Sequence, residues 1–380
     1  MMLLRPRWQT RACVSFLALL IVAVSAAPGD GDVILSPPYA EDPALTPQGN
    51  PAGRTFLLSL PLARSAIFNG SDATVADVRC DDWSRYAECC HKAPPVNDRC
   101  ALTVNRSISV YIPHSYVDGE AAPVLLMNDG PGYFQQVSFA LDNLISPPRR
   151  LPAFVAISVQ NGGCDAIGAE RGLEYDTLSD RYARFLAEEV LPAVLRDGAL
   201  RAAYPRLRLS ADPDRRAVFG CSSGGAAALT AAWTRPDLFR RVAAYSATLV
   251  DQQDHADATG AFRDYPQGAW GYHSGQQLLA RQPRPLRVFH SASEFDLGWN
   301  LSVTPVDERT PAGNNTDGDP GAWTDGHHNW LAAGNRTAAA LRGAGYQYRY
   351  IYARGAHHCD SALLLATLGD TLVWLWDGVN

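Results

Sequence analysis

The residues of this 380-residue chain best suited to covalent chemistry lie together in Gly220-Cys221-Ser222-Ser223-Gly224. Ala217, Val218 and Phe219, just before them, form a short apolar run that reads as a buried strand. Ala226 to Thr234, just after, is rich in helix formers and ends against Pro236. A strand that turns sharply into a helix lifts Ser222 to the apex in a strained backbone conformation, and Gly220 and Gly224 leave room for the chain to fold back on itself. The amide of Ser223 then points to where negative charge would collect on a tetrahedral oxygen, and the helix N-terminus adds positive potential. This is the arrangement of a serine nucleophile aimed at an acyl group. The same five letters also fit an ordinary helix start after a glycine turn; the flanking strand and helix favour the nucleophile.

A serine hydroxyl needs a base, and the base needs an acid to orient it. In strand-turn-helix sites of this kind the order along the chain is serine, acid, histidine, each on a loop after a strand. After the apolar run Leu286 to His290 come Glu294 and Asp296, and after Tyr346 to Tyr352 come His357 and His358. His357 is taken as the base, with His358 as its alternative. Glu294 is taken as the acid, with Asp296 as its alternative. His327, His328, His357, His358, Cys359 and Asp360 would be the material for a metal site, but their spacing matches no ligand pattern, so neither a metal nor a cofactor is expected.

The elements that must position these residues follow from hydrophobic pattern. Ser107 to Ile112 alternates as a strand. Pro123 to Met127 and Ala153 to Val159 are continuous apolar runs ending in Asn128-Asp129-Gly130-Pro131-Gly132 and Asn161-Gly162-Gly163. Val242 to Val250 reads as a further strand. A helix beginning near Asp176 places Leu178, Tyr182, Phe185, Leu186, Val190 and Val194 on one face, and another runs from Trp330 to Leu341, stopped by Gly343 and Gly345. Such alternation gives an α/β fold, a doubly wound, mostly parallel sheet with helices on both faces, whose ligands bind at the carboxyl ends of the strands.

Arg5, Arg7 and Arg11, an apolar run from Ala12 to Val24 and Ser25-Ala26-Ala27 make residues 1–26 a secretory signal peptide. Residues 27–52, with six prolines, read as an extended leader, and 53–380 as the catalytic domain. Sequons at Asn69, Asn105, Asn300, Asn314 and Asn335 fit a secreted glycoprotein. Without the leader arginines the formal charge falls to about −9, which disfavours nucleic acid and anionic membrane as partners. Cys80, Cys89, Cys90 and Cys100 suggest a disulfide-stapled insertion at about 80–100, zinc being the competing reading. Cys164 and Cys359 are expected at the mouth of the sheet, close enough to pair, leaving Cys221 as a buried thiol. Oligomeric state is left open.

The chain resembles the enterochelin-esterase-like, "putative esterase" group of α/β-hydrolases, which includes esterase D relatives, feruloyl esterases and mycolyltransferases. The similarity runs from about 105 to 377. It is carried by Val110-Tyr111-Ile112-Pro113, Asn128-Asp129-Gly130, Arg171 with Glu174-Tyr175-Asp176, Asp212-Pro213-Asp214, the serine turn, Arg235-Pro236-Asp237, Asn329-Trp330 and Trp374-Leu375-Trp376. The resemblance implies an α/β-hydrolase fold. It also implies a secreted serine esterase working through an acyl-enzyme on a small-molecule or carbohydrate-linked ester, with Ser222, His357 and Glu294 on the family's catalytic positions. Arg171 and Glu174 fall on positions that line the pocket, with an ion pair holding the loop as the other reading. The loop after Asp129 should supply the second oxyanion amide. Pro131 has no N–H, so Gly130 or Gly132 must serve. An acyltransferase, and a hydrolase fold kept as a binding module, are the alternatives.

Overall fold

The computed structural model describes residues 30–69, 105–145, 151–162, 170–250, 268–274, 276–298 and 329–379. The signal peptide, the cysteine insertion, Cys164 and the polar loop around 300–325 lie outside them. Among the described residues nine strands make one sheet: β1 (Gly31–Leu35), β2 (Arg54–Pro61), β3 (Asn105–Ile112), β4 (Val124–Met127), β5 (Val155–Val159), β6 (Arg216–Cys221), β7 (Arg241–Tyr245), β8 (Arg287–Phe295) and β9 (Gln347–His357). Their order is β1-β9-β8-β7-β6-β4-β5-β3-β2, with antiparallel pairing only at β2/β3 and β3/β5.

The central strands are apolar on both faces because both faces are covered. In β4, Val124 and Leu126 enter one core layer while Leu125 and Met127 enter the other, as the two-residue period of a strand demands. The first layer packs under α3, which comprises Arg181–Arg184, a π-wound stretch Phe185–Val190 and Leu191–Arg196, and under α4 (Ser223–Thr234) and α5 (Trp330–Gly343). The second is closed by α1 (Phe134–Ile145) and α6 (Ser361–Leu375), with Phe154 stacked on Trp376. The α/β-hydrolase fold expected from the sequence is present.

Three expectations about elements change. The proline-rich segment read as an extended leader contributes a strand to the sheet, since β1 pairs in parallel with β9 and forms an edge. Asp42 caps the short 3-10 turn Pro43–Leu45, whose Leu45 enters the second core layer. The strand expected over Val242 to Val250 stops at Tyr245, because Ser246 adopts φ 40 and the chain turns to wrap the serine. The two strands that carry the acid and the histidine run longer than their apolar cores, to Phe295 and His357.

Candidate active site

Ser222 sits between the last residue of β6 and the first of α4 with φ 56 and ψ −131. A non-glycine residue held there costs about 1–3 kcal/mol, which the surroundings must supply. The Ser222 amide donates to the Tyr245 carbonyl at 3.0 Å, and its own carbonyl accepts from the amides of Gly225 (2.9 Å) and Thr248 (2.9 Å). Its hydroxyl lies 3.3 Å from Thr248 Oγ1. The two flanking glycines are required by contact: a Cβ on Gly220 would stand 2.2 Å from the Gly224 carbonyl oxygen, and one on Gly224 would stand 2.7 Å from a carboxylate oxygen of Asp129.

The histidine and the acid come from the neighbouring strands β9 and β8. Asp296 is fully buried just past β8. Its carboxylate accepts from the amides of Leu297 (2.9 Å) and Ser293 (3.3 Å), and its Oδ1 lies 2.5 Å from His358 Nδ1. Trp330 packs edge-on to the His358 ring with centroids 6.0 Å apart. This departs from the pairing expected from the sequence. His357 is the last residue of β9, and its exposed ring lies against Phe295, with centroids 5.6 Å apart. Successive residues of an extended chain point to opposite sides, so His357 and His358 cannot both face the acid. Glu294 accepts from the Gly355 amide at 2.7 Å, beside a bulge between Ser293 and Phe295. It is thereby tied to the strand backbone, not to an imidazole.

The cysteines also differ from expectation. Cys359 is joined to Cys221, with Cα atoms 6.1 Å apart. The bridge therefore links the residue before Ser222 to the residue after His358.

The loop after β4 is pinned above the turn. Asn128 donates through Nδ2 to the Gly224 carbonyl (2.7 Å) and accepts from the Tyr182 hydroxyl (2.7 Å). Arg171, on the helix α2 (Glu170–Tyr175), holds both carboxylate oxygens of Asp129 at 2.9 and 3.0 Å, and Asn161 donates to one of them at 2.7 Å. Gly130 cannot serve as an oxyanion donor in this arrangement, because its amide donates to the Val159 carbonyl at 3.0 Å. The amides of Asn128 and Asp129 are likewise spent, on Phe219 and on the Tyr175 hydroxyl. Ser223 stands at the first position of α4, where an amide has no intrahelical acceptor, and its hydroxyl donates to the buried Asp176 at 3.0 Å.

Arg171 and Glu174 do not pair with each other. Glu174 is enclosed with Arg106 beneath the loop and accepts from the Gly162 amide at 3.2 Å; burial pushes its carboxyl up while the Arg106 charge pulls it down. Of the sequons, Asn69, Asn105 and Asn335 are exposed, and Asn300 and Asn314 lie outside the described residues. Sequence reasoning missed Thr248, Asn128 and the Cys221 bridge. A clue to the bridge was available, since Cys221 adjoins Ser222 and Cys359 adjoins a histidine.

The sequence model of the "Putative esterase" family matches residues 101–358. No curated protein matches the chain. Among solved structures it is similar to a ferulic acid esterase at TM-score 0.50 and 16% identity, covering 85% of this chain and 97% of that one. It is also similar to the CE1 ferulic acid esterase of Anaeromyces mucronatus at TM-score 0.52 and 12% identity, covering 90% and 97%. The enterochelin esterase of Shigella flexneri follows at TM-score 0.45 and 18% identity, covering 73% and 56%. With a serine turn at the carboxyl edge of a nine-stranded sheet and the family's sequence pattern over most of its length, the chain belongs to the "Putative esterase" family of α/β-hydrolase fold, a family of ester hydrolases.

Proposed function

We propose that the protein is a secreted serine esterase that cleaves carboxylic esters through an acyl-enzyme, with Ser222 as nucleophile, His358 as base and Asp296 as the orienting acid. One observation carries this reading. The strained Ser222 turn is tied through Cys221–Cys359 to the segment whose His358 meets the buried Asp296. In the first half-reaction Ser222 Oγ bonds to the ester carbonyl carbon while its proton passes to His358 Nε2. The tetrahedral intermediate then collapses, the bond to the alkoxide breaks, and the alkoxide leaves with that proton. Water repeats the sequence on the acyl-enzyme and releases the carboxylic acid. Asp296, holding Nδ1–H, fixes the tautomer that leaves Nε2 free to accept.

Ser223 N–H is one oxyanion donor. With the three preceding amides engaged and Pro131 lacking one, Gly132 supplies the second. Arg171, clamped on Asp129 at the rim, shapes the pocket, and the likeness to ferulic acid esterases makes esters of aromatic acids on carbohydrate the first substrates to try.

The test is labelling of the secreted protein with a fluorophosphonate, with mass mapping of the modified peptide, in the parent and in Ser222→Ala. Label on Ser222 that vanishes in the variant supports the reading. A folded parent that takes no label, or a variant that still hydrolyses esters at the parent rate, overturns it.

A further inference from the structure

We propose that the Cys221–Cys359 disulfide is a positioning element of the catalytic centre: it sets the distance between Ser222 and His358. The inference rests on the serine-esterase reading above and deepens it.

The bridge joins two strands that are not neighbours in the sheet. β6 and β9 are not neighbours, since β7 and β8 lie between them, so their axes are separated by three strand spacings, about 14 Å. Yet Cys221, the last residue of β6, and Cys359, two residues past His357 at the end of β9, have Cα atoms only 6.1 Å apart. The segment after β9 must therefore double back across the carboxyl ends of β8 and β7. Cys359 makes that reversal at φ 46, a backbone conformation unusual for any residue but glycine.

The other ties on this segment run elsewhere. Asp296 holds the His358 ring from the end of β8, and Asp360 accepts from the His357 amide at 3.1 Å while capping α6. These contacts fix the orientation of the imidazole relative to β8 and α6. The disulfide connects that assembly to the strand bearing the nucleophile. Through it, the Cα atoms of Ser222 and His358 can be no more than about 14 Å apart. A staple that served stability alone could close the chain at any pair of distant elements; this one joins the immediate chain neighbours of the two residues that must exchange a proton. Proton transfer from Ser222 needs placement to within an ångström, and a misplacement of that size costs on the order of a hundredfold in rate.

The experiment compares the full secreted protein with its Cys221→Ala/Cys359→Ala variant, which leaves no unpaired thiol at the site. Both are read for kcat, KM, fluorophosphonate labelling rate and circular dichroism. The expected result is a folded variant whose kcat and labelling rate fall about ten- to a hundredfold while KM changes by less than about threefold. A folded variant that labels and turns over at the parent rate overturns the inference.

Where the variant fails to fold, the folded parent is titrated with dithiothreitol. Each reagent molecule delivers two electrons and two protons to the S–S bond, giving two thiols, and itself closes to a cyclic disulfide. Alkylation mapping identifies Cys221 and Cys359 among the thiols freed. Loss of labelling before loss of the native tryptophan fluorescence, reversed on reoxidation, supports the positioning role. Coincident loss of both makes the bridge a structural staple and overturns it. A parent that never labels overturns the esterase reading itself, and so the two failures are distinct.

Discussion

His358 Nδ1 lies 2.5 Å from Oδ1 of Asp296, a carboxylate closed off from solvent and also held by the amides of Ser293 and Leu297. Asp296→Asn keeps the shape but no longer fixes the imidazole tautomer. It should lower kcat by about a thousandfold or more. Glu294→Gln, which alters contacts with the Gly355 amide and the Tyr352 hydroxyl, should change kcat by less than about threefold, because neither partner is the base. Steady-state kinetics on any hydrolysed ester separates the two carboxylates.

The adjacent histidines make a second comparison. His358→Ala should lower kcat by about a thousandfold or more, while His357→Ala, which removes an exposed ring lying on Phe295, should leave it within about threefold. Reversal of that order in kcat measurements would restore the base to His357.

Gly224→Ala places a methyl group 2.7 Å from the Asp129 carboxylate and 3.2 Å from the Asn128 Cβ, both held by hydrogen bonds that resist displacement. The expected outcome is a destabilisation of about 1–3 kcal/mol with slowed fluorophosphonate labelling, checked by urea unfolding and labelling rate.

Glu174, whose position reads either as pocket wall or as part of an ion pair holding the loop, forms an ion pair with the buried Arg106. Glu174→Gln removes the carboxylate paired with that guanidinium and leaves it only the more weakly coupled Glu170, at a cost of about 3 kcal/mol. Thermal unfolding should therefore shift down by several degrees, while kcat/KM of the folded protein at 25 °C stays within about threefold of the parent.

His290 is fully buried and His273 largely enclosed, and desolvation lowers each to about 3 from the ordinary 6.5. Between those values the unfolded chain binds protons that the folded protein refuses, so stability falls as pH drops from about 6.5 toward 3. Each histidine contributes a slope of about 1.4 kcal/mol per pH unit. His290 stacks on Tyr350 with ring centroids 4.5 Å apart, and no acceptor or donor meets its nitrogens among the described residues. His290→Phe should keep the stack and reduce the slope of the acid limb of a denaturation-versus-pH profile by about 1.4 kcal/mol per pH unit.

The central sheet and the serine turn were legible because each is written in a local pattern. Ala217-Val218-Phe219 and the glycines around Ser222 declare a strand and a sharp turn within a few residues. The choice between His357 and His358 is not local. It depends on the parity with which β9 leaves the sheet, and the strand continues five residues past Tyr352, through polar Arg354 and Gly355, where hydrophobic pattern gives no signal. The acid suffered similarly, because the bulge at Glu294 resets which side chains turn inward. β1 escaped notice because its alternation is short and lies among prolines. For the disulfide the sequence offers only the adjacency of Cys221 to Ser222 and of Cys359 to a histidine, since the pairing itself depends on a crossing of two intervening strands.

The edge position of β1 bears on how the protein comes into being. Gly31 to Leu35 align with Arg349 to Ala353, Trp374 donates to Asp30, Tyr348 donates to Asp32, and the Tyr39 hydroxyl donates to the Arg354 carbonyl. Residues around position 30 are thus held by residues more than three hundred positions later, and the strand they border is the one that leads to His358. A growing chain carries Ser222 long before it can carry His358, so on the proposed mechanism activity is withheld until synthesis has passed β9. Premature termination anywhere before that strand leaves both an unsatisfied sheet edge and a Ser222 turn without the His358 segment.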